Sequence, residues 1–157
     1  MAIRKIRVRG EECLGKVCKE VREVTPKIRE LIDDMYDTMY DAMGVGLAAP
    51  QVGILKRIVV IDVQDGNPLT LINPEIIYRG GSQTDDEGCL SIPGKRGTVT
   101  RPMYVHCRAF DEDMNEFVVE AEGLLARAIC HETDHLDGIL YAEKAIGPLK
   151  DVDADEE

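Results

Sequence analysis

The sequence predicts an α+β fold in which antiparallel or mixed β-sheets pack around a central metal-binding helix, with another helix near the N-terminus. Two segments space apolar residues at helical period, over residues 26–43 and 124–136, as a buried helix face requires. The chain between them holds β-branched and alternating runs bounded by Gly, Pro, Asn and Asp, the mark of strands. Helices flanking a block of strands point to α+β rather than alternating βα units. The later helix carries His131, Glu132 and His135 in the order His-Glu-x-x-His.

Thr25-Pro26 predicts a helix start, because a hydroxyl caps the first turn and proline fits the first helical position. Ile28, Leu31, Ile32, Met35, Met39 and Met43 then form one apolar stripe, with the methionines as core filler, ending at Gly44. Residues 44–51 read as an irregular loop. Residues 57–63 form a β-branched strand, and 69–72 and 75–78 form shorter strands divided by Asn73-Pro74. Residues 103–110 alternate, with Met103, Val105, Cys107 and Ala109 on one face, and pair with 116–120 across a polar turn. The second helix, 124–136, buries Leu124, Leu125, Ala128, Ile129 and Leu136 and stops at Gly138. No repeat or linker divides residues 1–157, so a single domain is expected, with an acidic tail fraying from residue 149.

At 157 residues the chain can bury a real core. A net charge of -11 argues against specific nucleic-acid binding. No apolar run approaches the roughly 20 residues of a membrane span, and the basic, alternating N-terminus lacks the apolar centre of a signal peptide. Five scattered cysteines, an odd number, read as free thiols. Together these features predict a cytoplasmic protein with no membrane partner.

Residues four apart on a helix share a face, so His131 and His135 can converge on one ion. Glu132 is rotated off that face, close enough to act on a metal-bound water without serving as a ligand. This spacing points to metal-assisted hydrolysis, which needs a third protein ligand and an open position. No histidine follows His135, which leaves Glu143 and the tail carboxylates downstream, with no patterned helix to hold them. His106 falls in a strand beside Tyr104 and Arg108, where an exposed or satisfied ring is expected. Cys89 sits in a glycine-bearing loop, where backbone can approach a ligand closely, and a cation would stabilise its thiolate.

Three motifs in order make the chain resemble the peptide deformylase family. They are Gly-x-Gly-Leu-Ala-Ala-x-Gln at 44–51, Glu-Gly-Cys-Leu-Ser at 87–91, and the helix motif at 131–135 with Asp134 and Leu136 also matching. The resemblance implies removal of the formyl group from N-terminal formyl-methionine of newly synthesised polypeptides. It implies that Cys89, His131 and His135 bind one divalent metal, natively Fe²⁺, with Zn²⁺, Ni²⁺ or Co²⁺ as substitutes. Glu132 is then the general base and later the proton donor to the amine. The Gln51 side-chain amide and the Leu90 backbone N–H stabilise the oxyanion.

A nascent N-terminus is extended and variable, so strand-like pairing with Val45-Gly46 and the Glu87-Gly88 edge suits it. Val45, Leu124 and Ala128 are expected to form the methionine slot, with Arg127 at its rim; a solvated helix face is the alternative for Arg127. Arg96 matches a basic position of the family, placed to contact substrate or to brace Glu87. Transient ribosome contact is part of the implied role. The C-terminal docking helix of some members has no counterpart in Gly147-Pro148 and the acidic tail, and Cys130 stands where many members have glutamine. Two rivals use the same helix motif. A zinc peptidase draws its third ligand from downstream, and a non-catalytic metal module closes its site with four protein ligands.

Overall fold

The computed structural model describes residues 2–152. Helix α1 spans Pro26–Asp41, and the Thr25 hydroxyl accepts from the Ile28 N–H at 3.3 Å. Ile28, Leu31, Ile32, Met35 and Met39 form its buried stripe. The helix ends in a paired-carbonyl cap: Gly44 N–H donates to Met39 O at 2.9 Å and Met43 N–H to Tyr40 O at 3.0 Å. This cap puts Met43 at φ 57 and turns it outward, 83% exposed, so it leaves the stripe that its spacing suggested.

In chain order the strands are β1 (Gly46–Ala48), β2 (Ile58–Ile61), β3 (Leu69–Gly80), β4 (Gln83–Cys89), β5 (Ile92–Arg101), β6 (Tyr104–Phe110), β7 (Glu116–Glu122) and β8 (Ile146–Asp151). They form a five-stranded sheet of order β1-β2-β3-β6-β7 and a three-stranded sheet of order β4-β5-β8. Neighbouring strands in both sheets pair antiparallel. Helix α2 spans Gly123–Leu136.

Strand β2 explains why its run is apolar without alternation. Val59 and Ile61 pack with Ala126, Ile129 and Leu136 of α2, while Ile58 and Val60 pack with Ile32, Met35 and Met39 of α1. The predicted inward face of β6 also holds, since Val105, Cys107 and Ala109 are fully buried. The fold is therefore α+β, with α2 bearing the histidine motif between sheet and cleft.

Several local expectations change. Residues 69–72 and 75–78 run as one strand, bent at a bulge beside Asn73 and Pro74. The Asn73 side chain pays for this bend with two 2.8 Å hydrogen bonds to the Val21 backbone, and proline is tolerated at bulges. The loop expected over 44–51 contains strand β1 followed by a 3-10 turn, Ala49–Val52. The loop around Cys89 is instead the end of β4 and its turn into β5. Leu124, expected in the core, is 54% exposed. Residues 149–151, expected to fray, belong to β8, and Val152 N–H donates to Gly94 O at 3.0 Å; residues 153–157 lie outside the described residues. Among the described residues no helix is long and apolar enough to cross a membrane, and the five cysteines are free.

Candidate active site

Helix periodicity places His131 and His135 side by side, their ring centroids 5.1 Å apart. Cys89, at the end of β4, is brought to them by the other sheet: its Sγ lies 3.4 Å from His135 Nε2. One ligand atom from each of Cys89, His131 and His135 lies within 4.8 Å of the others. An ion bonded tetrahedrally to a thiolate and an imidazole holds those two donor atoms about 3.6 Å apart, so this triangle fits a cation. Among the described residues no downstream side chain joins it: the Glu143 carboxylate accepts from Leu140 N–H at 2.8 Å within its own turn, and the tail carboxylates from Asp153 onward lie outside the described residues. His106 is remote, its ring against Tyr78 at 4.8 Å.

The histidines are held by what surrounds them. Glu87 is buried, and its carboxylate meets His131 Nδ1 at 2.8 Å and Arg101 Nε and Nη2 at 2.9 and 3.0 Å, with Arg127 Nη1 as a further donor. Burial opposes its charge, but the hydrogen bonds from His131 and Arg101 prevail and lower its carboxyl to about 2. A carboxylate on Nδ1 directs the opposite nitrogen toward a metal and fixes the ring. Burial likewise works against charge on His131. There the Cys89 hydrogen bond, the Glu132 charge and the Glu87 bond override it and raise the ring to about 10. The surplus of anionic groups thus favours a cation at this point, whether proton or metal. Burial lowers His135 well below its ordinary value, keeping it neutral as a ligand must be.

Glu132 faces the same space. Its Oε2 lies 3.9 Å from His131 Nε2, and its Oε1 is buried with no hydrogen-bond partner. Burial pushes its carboxyl up to about 7, the value suited to exchanging a proton at neutral pH. It fits only because residue 46 is glycine: a Cβ there would stand 2.6 Å from Glu132 Oε2.

Gln51 is also buried. Its Oε1 accepts from Ala48 N–H at 2.9 Å, and its Nε2 donates to Ser91 Oγ at 3.0 Å and faces Cys89 Sγ at 3.6 Å. Leu90 follows Cys89 in the β4–β5 turn and packs on Gly44, where a Cβ would meet its Cδ1 at 2.7 Å. These groups border an open cleft of about 630 Å³. Val45, Gly46, Glu87, Gly88, Arg96, Leu124, Arg127 and Ala128 all line it, together with Met43 and Val152.

Two placements differ from the sequence reading. Arg127 is neither a rim group nor a solvated one. It is buried, donating to Glu87 and to the carbonyls of Val99 and Gln83 at 3.1 and 3.4 Å. Arg96 is exposed at the mouth, and the brace on Glu87 is Arg101, which also donates to Asp134 Oδ2 at 2.7 Å. Arg101 escaped sequence reasoning although a signal existed: Gly97, Val99 and Arg101 alternate inward, and an inward arginine demands a buried partner. Cys130 is buried in the core behind the histidines, away from the ligand triangle.

Comparison with known proteins agrees with this geometry. The polypeptide deformylase family model matches residues 3–151. The chain is 67% identical over 152 residues to a peptide deformylase of Agathobacter rectalis, covering 97% of this chain and 96% of the relative. Its fold is similar to a crystal structure of a Legionella pneumophila peptide deformylase, with TM-score 0.89 and 42% identity over 93% of this chain and 87% of that one. It is likewise similar to a Synechococcus elongatus peptide deformylase in complex with actinonin, with TM-score 0.87 and 43% identity over 90% and 78% of the two chains.

Proposed function

This chain belongs to the polypeptide deformylase family and is a hydrolase of protein biosynthesis, and we propose that it deformylates the N-terminal formyl-methionine of newly synthesised polypeptides with one divalent metal held by Cys89, His131 and His135. The observation that carries this reading is the meeting of one sulfur and two imidazoles, from distant parts of the chain, beside a buried carboxylate whose Oε1 has no hydrogen-bond partner. A cation there supplies a nucleophilic water at neutral pH and polarises the formyl carbonyl. A thiolate with two imidazoles suits Fe²⁺, which we assign as the native ion, and equally Zn²⁺, Ni²⁺ or Co²⁺ as substitutes.

The protein's own groups divide the remaining work. Glu132 takes a proton from the attacking water and delivers it to the leaving amine, a double duty that its raised pKa allows. As the formyl oxygen gains charge, Gln51 Nε2 and the Leu90 N–H donate to it. Val45-Gly46 and Glu87-Gly88, which line the cleft, pair with the extended substrate backbone. Val45, Leu124 and Ala128 receive the methionine side chain, and Arg96 meets the substrate farther out. Arg127 serves this reaction through Glu87 rather than by touching substrate. Such a role belongs in the cytoplasm, with transient ribosome contact. The acidic net charge weighs against contact through RNA.

Formyl-Met peptides should be deformylated while internal peptide bonds stay intact, which separates this enzyme from a zinc peptidase. Glu132→Ala should retain metal by elemental analysis yet lose nearly all turnover. Cys89→Ala should lose both, and full metal occupancy and rate in that variant would overturn the ligand assignment.

A further inference from the structure

Residues 2–8 form no regular secondary structure, and Ile3 and Val8 are 57% and 43% exposed, so core burial does not hold this segment. Polar ties do. Ala2 N–H donates to Asp34 Oδ1 at 2.7 Å, and Arg4 gives its N–H to Thr38 Oγ1 and its Nε to Asp34 Oδ2, both at 2.9 Å. Farther on, Arg7 N–H donates to Gln51 O at 2.7 Å and Arg9 N–H to Ser91 O at 2.8 Å. The segment is thus anchored on α1 at one end and crosses two other elements at the other.

Those two elements share no sheet. Gln51 lies in the 3-10 turn that follows β1 of the five-stranded sheet, and Ser91 lies in the turn joining β4 to β5 of the three-stranded sheet. Between them passes the Gln51 side chain, with Nε2 on Ser91 Oγ at 3.0 Å and Cys89 Sγ at 3.6 Å. The aim of that amide, relative to the Cys89-Leu90 turn, therefore depends on how far apart the two main chains stand. The Arg7 and Arg9 N–H groups, two residues apart at the entry to the turn closed by Glu11 N–H on Val8 O, tie one short segment to both main chains.

We propose that residues 7–9 are a positioning splint for the oxyanion donors: the Arg7 and Arg9 main-chain amides hold the Gln51 and Ser91 backbones at the separation where Gln51 Nε2 and the Leu90 N–H converge on one oxygen. This rests on the oxyanion roles given above to Gln51 and Leu90. Donors of this kind act by being preorganised, and a displacement of about 1 Å costs on the order of a hundredfold in rate.

The test deletes the N–H groups. Arg7→Pro and Arg9→Pro each remove one donor, and replacing the residue 9 amide by an ester removes the same hydrogen with the side chain kept, should a proline variant not fold. Lys5→Pro places proline in the same segment away from both ties. With metal content verified by elemental analysis, Arg9→Pro or the ester should lower kcat on a formyl-Met peptide about tenfold or more with KM within twofold, while Lys5→Pro leaves kcat unchanged. In a Gln51→Ala background the ester should add little further loss, because coupled residues are non-additive. Full kcat in the Arg9 variants beside a slow Gln51→Ala would overturn the splint alone, as would losses that simply multiply. Wild-type kcat in Gln51→Ala would remove the oxyanion role, and the splint with it.

Discussion

Glu87 is a carboxylate surrounded by His131, Arg101 and Arg127, nearly inaccessible to water. Its job is to orient a ring and accept from two guanidinium groups, which a glutamine of the same shape does poorly. Glu87→Gln is expected to weaken metal affinity 10–100-fold, the usual cost of losing a carboxylate behind a ligating histidine, measured by chelator competition. The same substitution reports on acid stability. The Glu87 pKa is lowered from 4.5 to about 2, so its stabilisation is complete above pH 4.5 and lost as pH falls toward 2. That shift corresponds to about 3 kcal/mol. Urea midpoints of the wild type should fall steeply across that window, and those of Glu87→Gln, already lower at neutral pH, should fall less. Arg127 carries no local sign of its burial, because a buried arginine reads like an exposed one until its carboxylate is found.

At the scale of elements, the cleft is set by short pieces of edge strand. Strand β1 is only Gly46–Ala48, yet it brings backbone so close to Glu132 that a Cβ at position 46 would force the carboxylate to shift. Gly46→Ala should keep the fold and bind metal but lose turnover about a hundredfold or more, since the Glu132 carboxylate must move by roughly an ångström. A kcat near wild type would show that Glu132 has room to spare. Helix α1 and strands β2 and β6 were legible because their patterns match their burial, from the Thr25 cap to the alternation at Val105, Cys107 and Ala109. Strands β4, β5 and β8 were not. They are rich in Gly, Asp, Lys and Pro, residues with little preference for extended pairing, and the pairing with one another supplies what propensity withholds. Met43 and Leu124 failed for a related reason: periodicity says which face a residue occupies, not that the face is covered at the helix end.

For the whole molecule, the consequence is that the site straddles a seam. Cys89 comes from the three-stranded sheet and the two histidines from α2, which packs on the five-stranded sheet. A bound ion therefore adds a further link between parts that also meet through Glu87 and its arginines and through Gln51 and Ser91. Metal at about a hundred times its dissociation constant adds about 2.7 kcal/mol of stability. For a chain of this size that corresponds to about 5–10 °C in Tm. Calorimetry before and after chelation should show a drop of that order, recovered on adding back Fe²⁺, Co²⁺ or Zn²⁺. An unchanged Tm would mean that the ion does not bind the folded chain in preference to the unfolded one, and would overturn the metal assignment.

By itself the sequence determined the helix that bears His131, Glu132 and His135, the strands whose apolar periodicity matches their burial, and the motif set that implies the family. All of these are written locally, in spacings of two to four residues and in short runs. It took packing to set Cys89 beside His135, to share Glu87 among His131, Arg101 and Arg127, and to bring the Arg7 and Arg9 amides to Gln51 and Ser91. Such contacts join residues tens of positions apart, and which charged groups are buried together depends on packing that no local pattern encodes.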